Sequence, residues 1–146
     1  MTAWMRAAAV LMSLALALPG AAQTGPIDVR IDVSGVRSDR GRILVALHED
    51  RWDFPSRWDR ALASASAPAV SGSVGLTLRV PRAGRFALIV VHDEDGDGRM
   101  KKSAVGLPRE GYATGRNAAA LEFPFFEAAQ RDWTAGSRVA VTLVYP

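Results

Sequence analysis

Three aspartates at alternate positions are the residues of this sequence best suited to chemistry. They are Asp93, Asp95 and Asp97. Gly98 follows them, and an apolar, strand-like segment over residues 86–91 comes just before them. Alternating carboxylates ahead of a glycine form the first half of the D-x-D-x-D-G loop that binds Ca²⁺, because hard cations take several oxygen ligands from one short loop. The pattern therefore predicts a Ca²⁺ site, but it indicates no reaction.

The surrounding sequence departs from a complete EF-hand loop. With Asp93 at position 1, position 12 is Ala104, where the EF-hand has a glutamate, and the preceding element is predicted to be a strand. A site on a β scaffold would take the backbone carbonyl of Arg99 and the carboxylate of Glu110 as further ligands. The alternative is a solvated hairpin turn that needs no metal. In that case the nearby cations neutralise the acids; these cations are Arg99, Lys101 and Lys102.

Catalytic candidates are few. His48 and His92 are the only histidines, and each ends a predicted strand. Together with Tyr112 they can form a cleft only if both histidines and the acidic loop meet in one concave pocket. The sequence contains no cysteine, no nucleophile-elbow motif and no phosphate-binding glycine motif. No catalytic residue is therefore assigned.

The elements that must position these side chains are predicted to be strands. Five stretches have either apolar–polar alternation or an apolar run of strand length: residues 27–34, 42–48, 73–80, 85–92 and 138–145. The second and fourth are apolar on both faces, which predicts central strands. Short strands joined by turns, with few helices, favour an all-β fold, an antiparallel β-sandwich with one or two short helical turns.

The connections between these strands have less regular patterns. A short helix is predicted after Pro55, within residues 52–65. Residues 106–112 are expected to form a turn-rich connection. A strand is predicted over residues 119–123, followed by a loop or one helical turn through residues 126–130.

Residues 1–22 are predicted to be a secretory signal peptide. Arg6 is the only charged residue before Asp28, residues 7–18 are apolar except for Ser13, and small residues precede the expected cleavage point after Ala22. An uncleaved N-terminal anchor is the alternative, although the apolar run is shorter than the roughly 20 residues of a membrane span. Without cysteine, a lipoprotein anchor is excluded. Residues 23–146 have the length of a single domain, predicted to be periplasmic or secreted, with no membrane span.

Charge and cysteine content constrain the partners and the source of stability. The net charge is +3, and no basic run with interleaved aromatic residues is present, which argues against nucleic-acid binding. An exported chain without disulfides must take its stability from its core and from any bound ion. The sequence does not indicate an oligomeric state.

Several segments together resemble a family of exported bacterial proteins known as domain of unknown function 2141. They are residues 91–98, 106–112, 117–118 and 123–129. Members have a similar HDxNxxG…GPxEGY…N signature after a signal peptide, although the loop here is richer in Asp. The resemblance extends over residues 27–145. It implies a transthyretin-like or immunoglobulin-like β-sandwich in the periplasm or outside the cell, and no established activity.

Two functions follow from these observations. The first is an exported, non-catalytic β-sandwich module of unknown specific role, which binds Ca²⁺ through the Asp-rich loop and a protein or glycan partner in the cell envelope. The alternative is a small periplasmic hydrolase or carrier that uses a cleft formed by His48, His92 and Tyr112.

Overall fold

The strands of this protein form two sheets that enclose an apolar core. The structure is a computed structural model and describes residues 24–116 and 124–146. Its strands are β1 (Ile27–Val36), β2 (Arg42–His48), β3 (Ala63–Pro68), β4 (Gly72–Val80), β5 (Gly84–Asp93), β6 (Gly111–Thr114), β7 (Gln130–Trp133) and β8 (Arg138–Thr142). A 3₁₀ turn at Trp58–Arg60 precedes β3, and one short helix, α1 (Phe126–Ala129), precedes β7.

The smaller sheet has the order β4-β1-β8, and the larger sheet has the order β3-β2-β5-β6. The short strand β7 pairs with the first half of β5, on residues that β6 does not use. The all-β prediction is confirmed. Every strand pair described is antiparallel except β1 with β8, so the predicted antiparallel sandwich includes one parallel pair. The reason is that the chain enters β8 from the larger sheet, so no hairpin constrains its direction.

Alternation in β1 shows why these segments form a sandwich. Its odd-numbered residues from Ile27 to Val33 are buried, whereas Asp28 and Arg30 face solvent. Each buried aliphatic side chain contributes about 1.5–3 kcal/mol to stability. In β2 and β5 both faces are buried, since the smaller sheet covers one side and a second apolar cluster around Phe54 and Met100 covers the other. The predicted central position of these two strands is confirmed.

Several elements differ from the sequence predictions. The strands β3, β6 and β7 were not predicted; β3 is rich in Ala and Ser, and β6 begins within the expected turn-rich connection. They are strands because β2 and β5 offer open edges for pairing, and such context outweighs intrinsic preference. The helical turn through residues 126–130 is confirmed as α1. The helix after Pro55 is a single 3₁₀ turn, and β8 ends at Thr142.

Two predictions lie outside the described residues: the signal peptide over residues 1–22 and the strand over residues 119–123. Within residues 24–116 and 124–146, no helix is both long enough and apolar enough to cross a membrane.

Candidate functional site

The acidic loop, residues 93–98, is organised around its first side chain. Asp93 is the last residue of β5 and only 1% exposed. Its Oδ1 accepts hydrogen bonds from the backbone N–H groups of Gly96 (2.8 Å) and Asp97 (3.2 Å), and its Oδ2 accepts one from Gly98 (2.9 Å). Gly98 has a φ of +74°, a left-handed conformation that glycine adopts without strain. One buried carboxylate thus orders the loop backbone.

The structure brings the three predicted aspartates together. Carboxylate oxygens of Asp93, Asp95 and Asp97 lie within 4.8 Å of one another. Oxygen ligands bind Ca²⁺ at about 2.3–2.6 Å, so oxygens this close to one another can share one ion. Asp95 and Asp97 also each accept a local backbone hydrogen bond. Ionised carboxylates have about four lone-pair sites, so acceptor capacity remains for a cation.

Glu110 lies beneath the loop and outside this cluster of three carboxylates. It is 4% exposed, and its two oxygens accept the backbone N–H groups of Glu94 (3.2 Å) and Lys101 (3.0 Å). Burial raises the pKa of Glu110, while these hydrogen bonds act in the opposite direction. The side chain therefore joins the start of the loop, at Glu94, to the chain just beyond its end, at Lys101. The roles of the Arg99 carbonyl and of Glu110 as metal ligands stay predictions.

Two cations balance part of the negative charge. The Lys101 ammonium lies 2.8 Å from Oδ2 of Asp95, and this hydrogen bond lowers the pKa of Asp95. Arg37 forms an ion pair with Glu94 and is the main cause of its pKa falling to about 2. Lys101 was among the neutralising cations suggested by the sequence. Arg37 was not, because it precedes Glu94 by 57 residues.

The two histidines do not meet. In the antiparallel register of β2 and β5, His48 lies opposite Ala87 and His92 lies opposite Ile43, so the histidines occupy opposite ends of this strand pair. Tyr112 is fully buried. The predicted cleft of His48, His92 and Tyr112 is therefore wrong. The physical reason is that His48 is the last residue of β2 and His92 is the last but one of β5, and antiparallel neighbours have their C-terminal ends at opposite ends of the pair.

His92 has a structural environment at the end of the sandwich nearest the acidic loop. Its Nδ1 lies 2.8 Å from the Tyr145 hydroxyl, and its Nε2 lies 2.8 Å from the carbonyl oxygen of Arg40. Both ring nitrogens therefore have partners, and the ring joins the turn before β2 to the C-terminal segment. This arrangement is that of a buried histidine that supports packing.

His48, in contrast, is fully buried with neither ring nitrogen hydrogen-bonded among the described residues. Its ring packs edge-on against Phe54, at a centroid distance of 5.8 Å. Burial lowers the pKa of His48, and the carboxylate of Asp53 only partly opposes this effect. The neutral imidazole is therefore the form that the folded protein accommodates.

This environment predicts a pH dependence of stability. As pH falls below about 6.5, the unfolded chain protonates this histidine before the folded protein does. The free energy of unfolding then decreases by up to about 1.4 kcal/mol per pH unit, until the pH reaches the lowered pKa of the folded state. His48→Leu removes this contribution and keeps a similar volume. We expect urea unfolding at pH 7.5 and 5.5 to show a smaller loss for the variant than for the wild type. An equal loss in both proteins would assign the pH dependence to other groups.

Two packed sheets with an acidic loop at the end of a central strand define the class of this protein: an all-β sandwich with a candidate cation site. The chain belongs to the family described as an uncharacterized protein conserved in bacteria (DUF2141), whose model matches residues 31–140. The resemblance drawn from the sequence is thereby confirmed. Comparison with curated proteins and with solved structures gave no match. The transthyretin-like or immunoglobulin-like subtype stays a prediction.

Proposed function

We propose that this protein is an exported, non-catalytic β-sandwich module that binds Ca²⁺ through its acidic loop and engages a protein or glycan partner in the cell envelope. The observation that carries the proposal is the grouping of three carboxylates within 4.8 Å on a backbone already ordered by Asp93 and Glu110. A preordered loop loses little conformational freedom when an ion binds.

The composition of the site supports weak binding. Three side-chain carboxylates, even with the two further predicted ligands from Arg99 and Glu110, are fewer than the six to eight oxygen ligands that Ca²⁺ takes, so water supplies the remaining positions. In addition, the ion competes with Lys101 for Asp95. We expect a dissociation constant of about 10⁻⁴–10⁻³ M, the range of extracellular calcium modules. Such an affinity suits a protein outside the cytoplasm.

The hydrolase or carrier alternative has lost the residues on which it depended. It required His48 and His92 to share a pocket, and the β2–β5 register separates them. The binding module is therefore the function that the geometry supports best.

Calcium titration of the purified protein tests the proposal. Ca²⁺ at ten times its dissociation constant should raise the free energy of unfolding by about 1.4 kcal/mol and raise the melting temperature, because it binds the folded state alone. Asp95→Asn/Asp97→Asn is the matched control, since both side chains are exposed and the Asp93 hydrogen bonds remain. Calorimetry should give a saturable heat that this variant loses. No heat and no shift at 10 mM Ca²⁺, about ten times the upper expected constant, would make the loop a solvated turn.

Lys101→Gln provides a second test of the same site, in which Ca²⁺ affinity should increase and not decrease. Removing the ammonium frees the Asp95 carboxylate, so Ca²⁺ affinity should increase about fivefold, while the metal-free protein should unfold at nearly the same urea concentration as the wild type because the pair is exposed. Unchanged affinity would show that the ion does not contact Asp95.

A further inference from the structure

A cleft of about 670 Å³ lies beside the acidic loop, between residues 56–59 and residues 98–102. Trp58 from the 3₁₀ turn lines one side, and Gly98 and Arg99, where the chain leaves the loop, line the other. Met100, which is 7% exposed, belongs to the apolar cluster beneath. We call this feature the cationic cleft.

Positive charge predominates in the cationic cleft. Its charged side chains are Arg57, Asp59, Arg99 and Lys102. Arg57 is held by Asp59 at 3.3 Å, while Lys102 donates to the hydroxyl of Ser56. No carboxylate among the described residues pairs with Arg99 or Lys102. Two exposed cations without a carboxylate partner, facing one cavity, form an attractive environment for an anion.

The remaining lining groups suit a sugar ring. Trp58 is half-buried and packs against the apolar cluster that contains Met100. An indole presents a broad, rigid apolar surface on which the C–H face of a pyranose can pack, although the Nε1 of Trp58 is itself buried. Ser56 and Asp59 offer hydrogen-bonding groups for ring hydroxyls. The cleft therefore combines an aromatic wall, hydroxyl partners and two cations.

We propose that the cationic cleft binds a carboxylate-bearing sugar unit of an envelope glycan. The carboxylate pairs with Arg99 and Lys102, and the ring packs beside Trp58. This inference rests on the proposed function and names its partner as an acidic glycan. Because Arg99 directly follows the acidic loop, a Ca²⁺ ion held by Asp95 and Asp97 adds positive charge beside the cleft, so sugar affinity should be higher with calcium than without it.

Trigalacturonate, a trimer of uronic acid, is the probe for this inference. We would titrate it by calorimetry into the full-length protein at 50 mM NaCl, once with 1 mM Ca²⁺ and once with EGTA. We expect saturable binding of trigalacturonate in both buffers, and no binding of maltotriose, which has the same length without the carboxylates. Tetraglutamate should bind more weakly, because it supplies carboxylates without a sugar ring.

Variants separate the cleft from the general charge of the protein. Arg99→Gln/Lys102→Gln should weaken trigalacturonate binding about tenfold or more, which corresponds to about 1.4 kcal/mol. Both side chains are exposed, so the fold is retained. Arg40→Gln/Arg116→Gln removes the same charge from exposed arginines outside the cleft, and affinity should stay within about twofold.

The binding results distinguish the acidic-sugar site from the calcium site. No binding of trigalacturonate, equal binding of maltotriose or tetraglutamate, or equal losses in the two double variants would overturn the acidic-sugar site. A calcium titration that succeeds while trigalacturonate fails removes this inference alone. Sugar binding that persists in EGTA, in a protein that shows no calcium heat, retains the cleft and removes the calcium proposal.

Discussion

Alanine in place of Asp93 is expected to destabilise the metal-free protein by about 3 kcal/mol. The carboxylate accepts three backbone N–H groups from a buried position at the end of β5, and a buried donor left without an acceptor costs about 1–3 kcal/mol. The expected loss of stability is smaller than the sum for three buried donors, because residues 95–98 are exposed and water can hydrogen-bond to some of these N–H groups. Urea unfolding in EGTA measures the change without any contribution from calcium.

Asp97→Ala is the matched control for this experiment. Its exposed carboxylate accepts one local hydrogen bond, from the N–H of Arg99 at 2.8 Å, and its loss should cost no more than about 0.5 kcal/mol. If the two alanine variants had equal stabilities in EGTA, Asp93 would have no special role in ordering the loop. It would then be one of three equivalent ligands.

The second large effect is expected at Gly41, in the turn before β2. Gly41 has a φ of +69°, and a Cβ there would lie 1.8 Å from the backbone carbonyl oxygen of Asp93. An alanine would therefore combine about 1–2 kcal/mol of backbone strain with displacement of the end of β5. We expect Gly41→Ala to lower the free energy of unfolding by about 4 kcal/mol in total, and to weaken Ca²⁺ binding in proportion to the disturbance of Asp93.

Gly136→Ala is the control that separates the cost of backbone strain from the cost of displacing the end of β5. Gly136 has a similar φ of +74°, but a Cβ there would meet nothing within 4 Å. It should cost only about 1–2 kcal/mol and leave calcium binding unchanged. Chemical unfolding and calcium calorimetry on both variants make the comparison. Equal costs would mean that the contact between Gly41 and Asp93 relaxes without consequence.

The local sequence pattern was sufficient to predict those features of the protein that depend on contiguous residues. Apolar–polar alternation predicted β1 and β4, and unbroken apolar runs predicted β2 and β5 as central strands. Successive side chains in a strand face opposite sides of the sheet, so the alternation of apolar and polar residues shows which side chains are buried. The three clustered aspartates were predictable for a similar reason, since one short loop carries them all.

The roles that depend on distant residues were not predictable in this way. Strand pairing with β2 and β5 converts the weakly patterned residues of β3, β6 and β7 into strands. Glu110 closes the loop from 16 residues away, and Arg37 reaches Glu94 across 57. Glu110 was predicted from the sequence only as a further Ca²⁺ ligand, and no local pattern indicated the partner of Arg37 or the pairing of these three strands.

The sequence by itself determined that this chain is an all-β protein with three carboxylates in one loop, because strand periodicity and loop chemistry are local properties. Only the tertiary structure decided that His48 and His92 lie at opposite ends of one strand pair, that Glu110 supports the loop from below, and that residues 56–59 face residues 98–102 across a cleft. Those outcomes follow from strand register and tertiary packing. Both bring together residues that are far apart in the sequence, and no local sequence pattern shows which of these residues will be in contact.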